Sequence, residues 1–458
     1  MKSAPKLLKY EAQKVILSII VVLLLASLTA DRVLAAEERE DNSRDKVQNL
    51  EKKVQDLVEE IEKLKQKQSE EQAERKKEKE KVSEMAAELD EVKEAPAFDA
   101  ESWLNKFELG GYGEMHANFS ESGDSQFDIH RLVLYLGYDF NEWIKLHSDT
   151  AIEHAFVAGG DGSEGDGELV MEQAYVDFLL SEPLNARVGR ILTPVGIINK
   201  WHEPTTFNGV ERPAFAHDVI PTTWSSDGAG IFGRLSPQVS YEAYVVGGLD
   251  GSGFDALEGI RGGRLKERPS LNDPAATARM DYRPFAVTGS EWARNLRLGL
   301  SGYYGGINNG DEGDDPGIDG DIGIYSADFE YSISDFDFRG VFAREHIDGA
   351  DDLAGGVAEV ISGWYLEAGY HFMPESWKTG KLSESDAVAF VRYDQVDTQH
   401  DMPSGVSADP RGDREEVTLG ISWFLTRQFV VKADYEIRDD ESGEDPDNAF
   451  NVGVGWVF

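Results

Sequence analysis

From Phe107 to Phe458 the sequence keeps a period of two, and that constrains the fold more than any other feature. Phe107, Leu109, Gly111, Gly113, Met115, Ala117 and Phe119 fall on one parity, and Glu108, Tyr112, Glu114, His116 and Asn118 on the other. The same one-sided alternation returns at Leu132/Leu134/Leu136/Tyr138/Phe140, Leu296/Leu298/Leu300, Trp364/Leu366/Ala368/Tyr370/Phe372, Val417/Leu419/Ile421/Trp423 and Phe450/Val452/Val454/Trp456/Phe458. Successive side chains of a strand point to opposite faces, so each segment has one apolar and one polar face. A mean hydropathy of −0.42 does not oppose a membrane location. Lipid-facing residues that alternate with lumen-facing polar ones are invisible to a hydropathy window.

The connections alternate as well. Phe140-Asn141-Glu142, Ser181-Glu182-Pro183, Ser236-Pro237, Ser334-Asp335 and Thr426-Arg427 are short, while 285–291 and 373–385 are longer turns. Between them lie 120–125 and the long polar stretches 158–168, 192–227, 249–274, 306–321, 348–356, 398–413 and 439–447. Tight turns at one rim and long loops at the other characterise outer-membrane barrels. Eight long-side loops predict an all-β transmembrane barrel of sixteen antiparallel strands over 97–458; fourteen or eighteen also fit. A soluble β-sandwich would alternate too. It would not gather aromatics at the ends of the apolar parity, as Phe140/Trp143, Tyr370/Phe372 and Trp423/Phe424 do.

Before the strands lie two segments of different character. Lys2, Lys6, Lys9 and Lys14 precede an apolar stretch, 15–30, and Val33-Leu34-Ala35 offers small residues for cleavage, so 1–35 reads as an export signal. The alternative is a permanent anchor, although 15–30 falls short of the ~20 residues a spanning helix needs. The segment 36–96 carries Val47, Val54, Ile61, Val82 and Leu89 at a positions and Leu50, Leu57, Leu64, Met85 and Val92 at d positions, before Pro96. Such a seam implies an α-helical coiled coil with partner helices in the periplasm; a lone charged helix or a solvated spacer is the alternative. The chain has no cysteine, so it has neither a disulfide framework nor a haem-attachment motif.

The formal charge is −41, and it is unevenly spread. Before Ala97 lie 19 of the 45 basic and 22 of the 86 acidic residues, leaving 26 against 64 in the strand region. Such a surface excludes nucleic acid as a partner. Inward parity collects nine basic residues: Arg131, Lys145, Arg187, Arg279, Arg283, Arg297, Arg339, Arg392 and Lys432. It collects fifteen acidic ones: Glu108, Glu114, Asp149, Glu153, Asp177, Glu242, Asp281, Asp328, Glu330, Glu359, Glu367, Asp394, Glu416, Asp434 and Glu436. Carboxylate rings favour cations. The acidic runs 159–168 and 309–315 lack a full calcium-loop pattern; they are read as solvated loops, with loose divalent-cation binding that bridges to lipopolysaccharide as the alternative. His116 and His147 share lumen parity and are read as ordinary polar lining, with no metal site assigned. No catalytic constellation stands out, so the chain is read as non-enzymatic.

The loop 192–227 is too apolar and aromatic to rest in water. Folding into the barrel would bury it and narrow the pore; packing at a subunit interface or over the mouth would bury it too. Gly189-Arg190, Pro194-Val195-Gly196, His202-Glu203-Pro204-Thr205-Thr206-Phe207, Gly209-Val210-Glu211-Arg212, Ile220-Pro221-Thr222-Thr223-Trp224 and Gly228-Ala229-Gly230-Ile231-Phe232-Gly233 resemble the phosphate-selective porin family. The resemblance covers about 107–458. It implies sixteen strands, a trimer and a third loop folded inside, and in some relatives an N-terminal coiled coil. The phosphate selectivity of that family rests on basic lumen residues, whereas this loop sets only Lys200 and Arg212 against Glu203, Glu211, Asp218 and Asp227. The expectation is therefore a porin for small hydrophilic solutes or ions, weakly cation-selective or poorly selective. Anion selectivity, or a structural tether to the cell wall or a periplasmic partner through the coiled coil, are the alternatives. Candidate constriction residues are Lys200, His202, Glu203, Glu211, Arg212, Arg187, Arg297, Arg339, Glu114 and Asp149.

Overall fold

The alternating segments are strands, and there are sixteen of them in one closed sheet, as seen in a computed structural model. It describes residues 103–154, 168–264, 273–288, 295–309, 318–444 and 446–458, together with Lys77. The signal segment 1–35, the heptad segment 36–96 apart from Lys77, and nearly all of the acidic runs 159–168 and 309–315 lie outside the described residues.

The strands are β1 (Phe107–Ser120), β2 (Gln126–Asp139), β3 (Ile144–Glu153), β4 (Glu168–Ser181), β5 (Leu184–Leu192), β6 (Ser225–Ser236), β7 (Val239–Gly247) and β8 (Pro274–Tyr282). They continue with β9 (Leu296–Gly306), β10 (Asp321–Ile333), β11 (Phe336–Ile347), β12 (Val360–His371), β13 (Asp386–Asp401), β14 (Asp413–Thr426), β15 (Phe429–Asp440) and β16 (Ala449–Val457). Every strand pairs antiparallel with its sequence neighbours, and β1 closes on β16 from Tyr112↔Val457 to Ser120↔Ala449. Closure leaves no unpaired edge, which is what a sheet in hydrocarbon requires. Phe458 extends the seam: its N–H donates to the Gly111 carbonyl at 2.9 Å, and its own carbonyl accepts from the Gly111 N–H at 3.0 Å.

Burial follows the parity. Along β8, Ala275, Thr277 and Arg279 are buried while Ala276, Ala278 and Met280 are exposed. Leu109, Leu134, Leu136, Leu298, Leu300, Leu366, Leu419 and Ile421 form an exposed apolar skin. Phe140, Trp143, Tyr282, Phe336, Tyr370 and Trp423 stand exposed at the short-turn rim, where amphipathic rings suit a headgroup layer. The core lies inside the barrel.

The register shifts at six places, and two of these are β-bulges that bear on the site. One lies between the pairs Glu114↔Arg131 and His116↔Asp128, the other between Asp149↔Gln173 and Thr150↔Met171. A bulge inserts a residue and re-aims the side chains beside it. Both bulges lie on the β1–β4 wall, and both turn charged side chains toward the lumen.

Candidate functional site

Leu192 and Ser225 face each other in register, and the 32 residues between them form a single loop. Asn199 clasps its neck. The side-chain amide donates to the carbonyls of Thr193 at 2.7 Å and Trp224 at 3.0 Å, and the amide oxygen accepts from the Trp224 N–H at 2.9 Å. Beyond the clasp the loop buries Val195, Ile197, Ile198, Phe207, Phe215, Val219, Ile220 and Trp224 in one cluster. Their partners are inward-facing apolar residues of β7 to β13, among them Val246, Tyr303, Ile322, Ile324, Val341, Ala343, Ile361 and Tyr365. The short helix α1 (Phe215–Asp218) sets Phe215 edge-on to Tyr365, with ring centroids 5.9 Å apart. Half of the lumen wall is thus a dry seat for the loop.

Charged strand residues hold the loop's backbone from several sides. Arg279 donates to the Gly196 carbonyl, Arg339 to the Thr206 carbonyl and Lys432 to the Phe207 carbonyl, each at 2.9 Å. In return Asp434 accepts the Val210 N–H at 2.5 Å and Asp394 the Phe215 N–H at 3.3 Å. The arginines are also paired among themselves through carboxylates. Arg279 meets Asp328 and Asp281, and Arg297 meets Asp281, Asp328 and Glu330, all at 2.7–2.9 Å; Arg339 reaches Glu330 at 3.1 Å. A glycine makes room for this ladder. A Cβ on Gly299 would lie 2.3 Å from both Arg279 Nη2 and an Asp328 carboxylate oxygen. Gly299→Ala is therefore expected to cost at least the ~1–3 kcal/mol of an overpacked site, read as a lowered unfolding midpoint of the detergent-folded barrel.

With one wall taken, the open space runs along the other. Two cavities lie there among the described residues, of about 490 and 470 Å³. The outer one, toward the long loops, is lined by Glu114, His130, Arg131, Glu211, Arg212 and Glu416 among others. The inner one, toward the short turns, is lined by Tyr112, Asp149, Arg187, Lys200, His202 and Glu203 among others. Between them stands a septum in which Tyr112, Glu114, Arg131, Glu172 and His202 are each at most 6% exposed. Arg131 Nε lies 2.7 Å from Glu114, the Tyr112 and His202 rings are 5.9 Å apart, and His202 Nε2 stands 3.6 Å from Glu172, an ion-pair distance. Arg212 is fastened to the same spot by the Thr222 hydroxyl at 2.9 Å and the His202 carbonyl at 3.1 Å.

Eight of the ten sequence-predicted residues therefore line the two cavities: Glu114, Glu211 and Arg212 outside, Lys200, His202, Glu203, Arg187 and Asp149 inside. Arg297 and Arg339 line neither; they belong to the ladder. Tyr112, Arg131 and Glu172 complete the septum: Arg131 stood on the inward list and Tyr112 on the polar parity, but none of the three was among the candidate constriction residues. Glu172 escaped both inward lists because the bulge beside it turns it against the parity of Asp177.

The loop side of the septum carries perturbed groups. Burial disfavours charge on Glu211, but the hydrogen bond with His116, whose Nδ1 is 2.9 Å away, outweighs it and holds the carboxyl down at about 2. Burial likewise opposes a charged His202, and the facing Glu172 carboxylate again wins, so the imidazole titrates above its usual range. A raised histidine contributes stability that is complete below its unfolded value of about 6.5 and is lost as pH rises through the folded value. The His202–Glu172 pair is thus expected to loosen on the alkaline side. Unfolding midpoints across neutral to alkaline pH check this: the wild type should decline, and Glu172→Gln should flatten that decline.

A closed sixteen-stranded barrel with an apolar skin, aromatic rim, charged lumen and loop-narrowed interior defines the class: a membrane-spanning antiparallel β-barrel. Within it, the chain belongs to the same family as an uncharacterized protein of Aquifex aeolicus (strain VF5), 31% identical over 369 residues, which cover 76% of this chain and 79% of that one. No known family profile matches the chain. Among solved structures it is similar to the anion-selective porin from Comamonas acidovorans (11% identity, 77% of this chain and 99% of that one, TM-score 0.48). It is also similar to Salmonella typhi OmpF in complex with daunomycin (12%, 77% and 97%, TM-score 0.48). A third is Pseudomonas aeruginosa OpdK with vanillate (11%, 77% and 99%, TM-score 0.42).

Proposed function

We propose that this chain is a passive diffusion channel for small hydrophilic solutes and ions, weakly cation-selective or poorly selective. The observation that carries the reading is the pair of charged cavities on one lumen wall, on either side of the septum. Arg131, Arg187, Arg279, Arg297, Arg339 and Arg392 each sit within 3.4 Å of a carboxylate, so the charge of these six is largely balanced. Glu203, by contrast, keeps a side-chain oxygen without a partner. In this reading Lys200, His202, Glu203, Glu211, Arg212, Arg187, Glu114 and Asp149 form the path, and Arg297 and Arg339 hold the loop that narrows it.

Planar-bilayer reversal potentials under a KCl gradient test the proposal. The expected sign is a small cation preference, reduced in an Asp149→Asn/Glu203→Gln variant; a clear preference for chloride or phosphate overturns it. The second reading, a phosphate- or anion-selective member of the resembled family, is favoured by Arg212, Arg261, Arg264, Arg414 and Arg438 around the outer cavity. We further read the protein as a homotrimer in outer-membrane lipid and lipopolysaccharide, with 36–96 as a periplasmic coiled coil. Deleting 40–94 is expected to leave single-channel conductance intact while altering assembly or envelope integrity. Loss of conductance would move the coiled coil into the pore's own machinery.

A further inference from the structure

The β1–β2 bulge has a second product, on the outer rim. Asp128 and His130 are two apart on β2, and His154 follows the last residue of β3, its N–H donating to the His130 carbonyl at 3.0 Å. Among the described residues these three form one group whose donor atoms, a carboxylate oxygen and two ring nitrogens, all lie within 4.8 Å of one another. The His130 and His154 rings meet edge to face, 4.9 Å between centroids, and His154 Nδ1 is 2.6 Å from Asp128 Oδ2. His130 lines the outer cavity, and His154 is exposed.

We propose that Asp128, His130 and His154 form a transition-metal site at the outer rim of the lumen, with a fourth position left to solvent. Three protein ligands and one open position is the arrangement of open zinc sites, whose bonds of about 2.0–2.2 Å set donors roughly 3.4 Å apart. The donors, all within 4.8 Å of one another, must draw in by about an ångström or more, and the exposed His154 side chain is free of tight packing that would prevent its share of that adjustment. Two imidazoles with one carboxylate suit zinc, copper, nickel or iron better than calcium or magnesium, which prefer all-oxygen shells. This separates the cluster from the acidic loops. Arg131 Nη2 lies 2.8 Å from His130 Nε2, but its other nitrogens already sit on Glu114 and Glu153, so the guanidinium can release the ring and keep its charge partners. His116 stacks on His130 at 4.3 Å and is engaged by Glu114 and Glu211, so it supports the ring without joining the ligand set. The proposal stands independently of pore selectivity.

The test is calorimetric titration of Zn²⁺ into the full chain folded in detergent, in the presence of excess Ca²⁺. One equivalent per chain is expected. His154→Ala, at an exposed position past the end of its strand, should weaken binding by more than the roughly 10–100-fold that loss of a group merely orienting a ligand costs. Asp128→Asn should weaken it as well, and His400→Ala, on another strand, should leave it unchanged. Co²⁺ in place of Zn²⁺ should give the visible bands of a four-coordinate ion. Binding that survives His154→Ala unchanged, or that Ca²⁺ abolishes, overturns the proposal and assigns the metal to the acidic loops.

Discussion

Replacing Arg279 with methionine is expected to cost about 3–5 kcal/mol of barrel stability, the penalty for breaking a buried pair and leaving its partner charged. The arginine side chain and that of Asp328 are both fully buried, and Asp281 shares the guanidinium. The same substitution frees the Gly196 carbonyl, where the loop first meets the wall. Arg297 would be left as the arginine facing Asp281 and Asp328, while sharing Glu330 with Arg339. The loss should appear as a lower urea midpoint for the detergent-folded protein. A second variant makes the test specific. Arg279→Met/Asp328→Leu removes both charges together, and an apolar replacement of a buried pair is often neutral or better. Most of the loss should therefore return in the double variant, because Asp281 and Glu330 still serve Arg297. A single variant as stable as the wild type, or a double variant worse than the sum of its parts, would sink this account of the ladder.

The contrast between what the residues announced and what they hid has a physical basis. Sixteen strands were legible because lipid on one face and lumen on the other impose a period of two over every crossing. The rhythm of Ser334-Asp335 against 348–356 then fixes sidedness. Parity also found Arg279, Asp328 and Arg392. It failed in two ways. The first is local: bulges beside Glu114 and Asp149 reset the count, and they displaced His130 and Glu172, two residues on which the site depends. Single-sequence periodicity has no signal for an inserted residue. The second is global. Parity reasoning takes the inward face to be polar, yet Ile322, Ile324, Val341, Ala343 and Ile361 point inward and are buried under the loop. Where both parities are apolar, alternation fades and only the destination of the loop explains the pattern. Glu345 is the counter-case: it shares the parity of Arg339 and lies fully buried, yet the inward list passed over it although no bulge interrupts the count along β11.

That inward apolar wall makes the loop a cooperative unit of its own, and Trp224→Ala is the substitution that should release it. Trp224 is fully buried, its ring centroid 4.9 Å from that of Tyr303, and its backbone is held by Asn199 on both sides. Truncating a buried tryptophan costs about 3–5 kcal/mol. The sheet's hydrogen-bond ladder runs past the site without passing through it, since Leu192 and Ser225 already pair across the loop's neck. The cost should therefore fall on local opening of 193–224 rather than on the barrel, as expected for a region less stable than the scaffold around it. Two readings separate these outcomes. Limited proteolysis of the folded variant should nick within the loop at sites closed in the wild type, while the unheated barrel keeps its resistance to detergent denaturation. Single-channel recordings should show larger and noisier conductance, because pore width at the narrowest point governs passage. Asn199→Ala should do the same by unmaking the clasp. Were the whole barrel to melt at the temperature at which the loop opens, loop and sheet would be one unit. The septum would then owe its position to the wall alone.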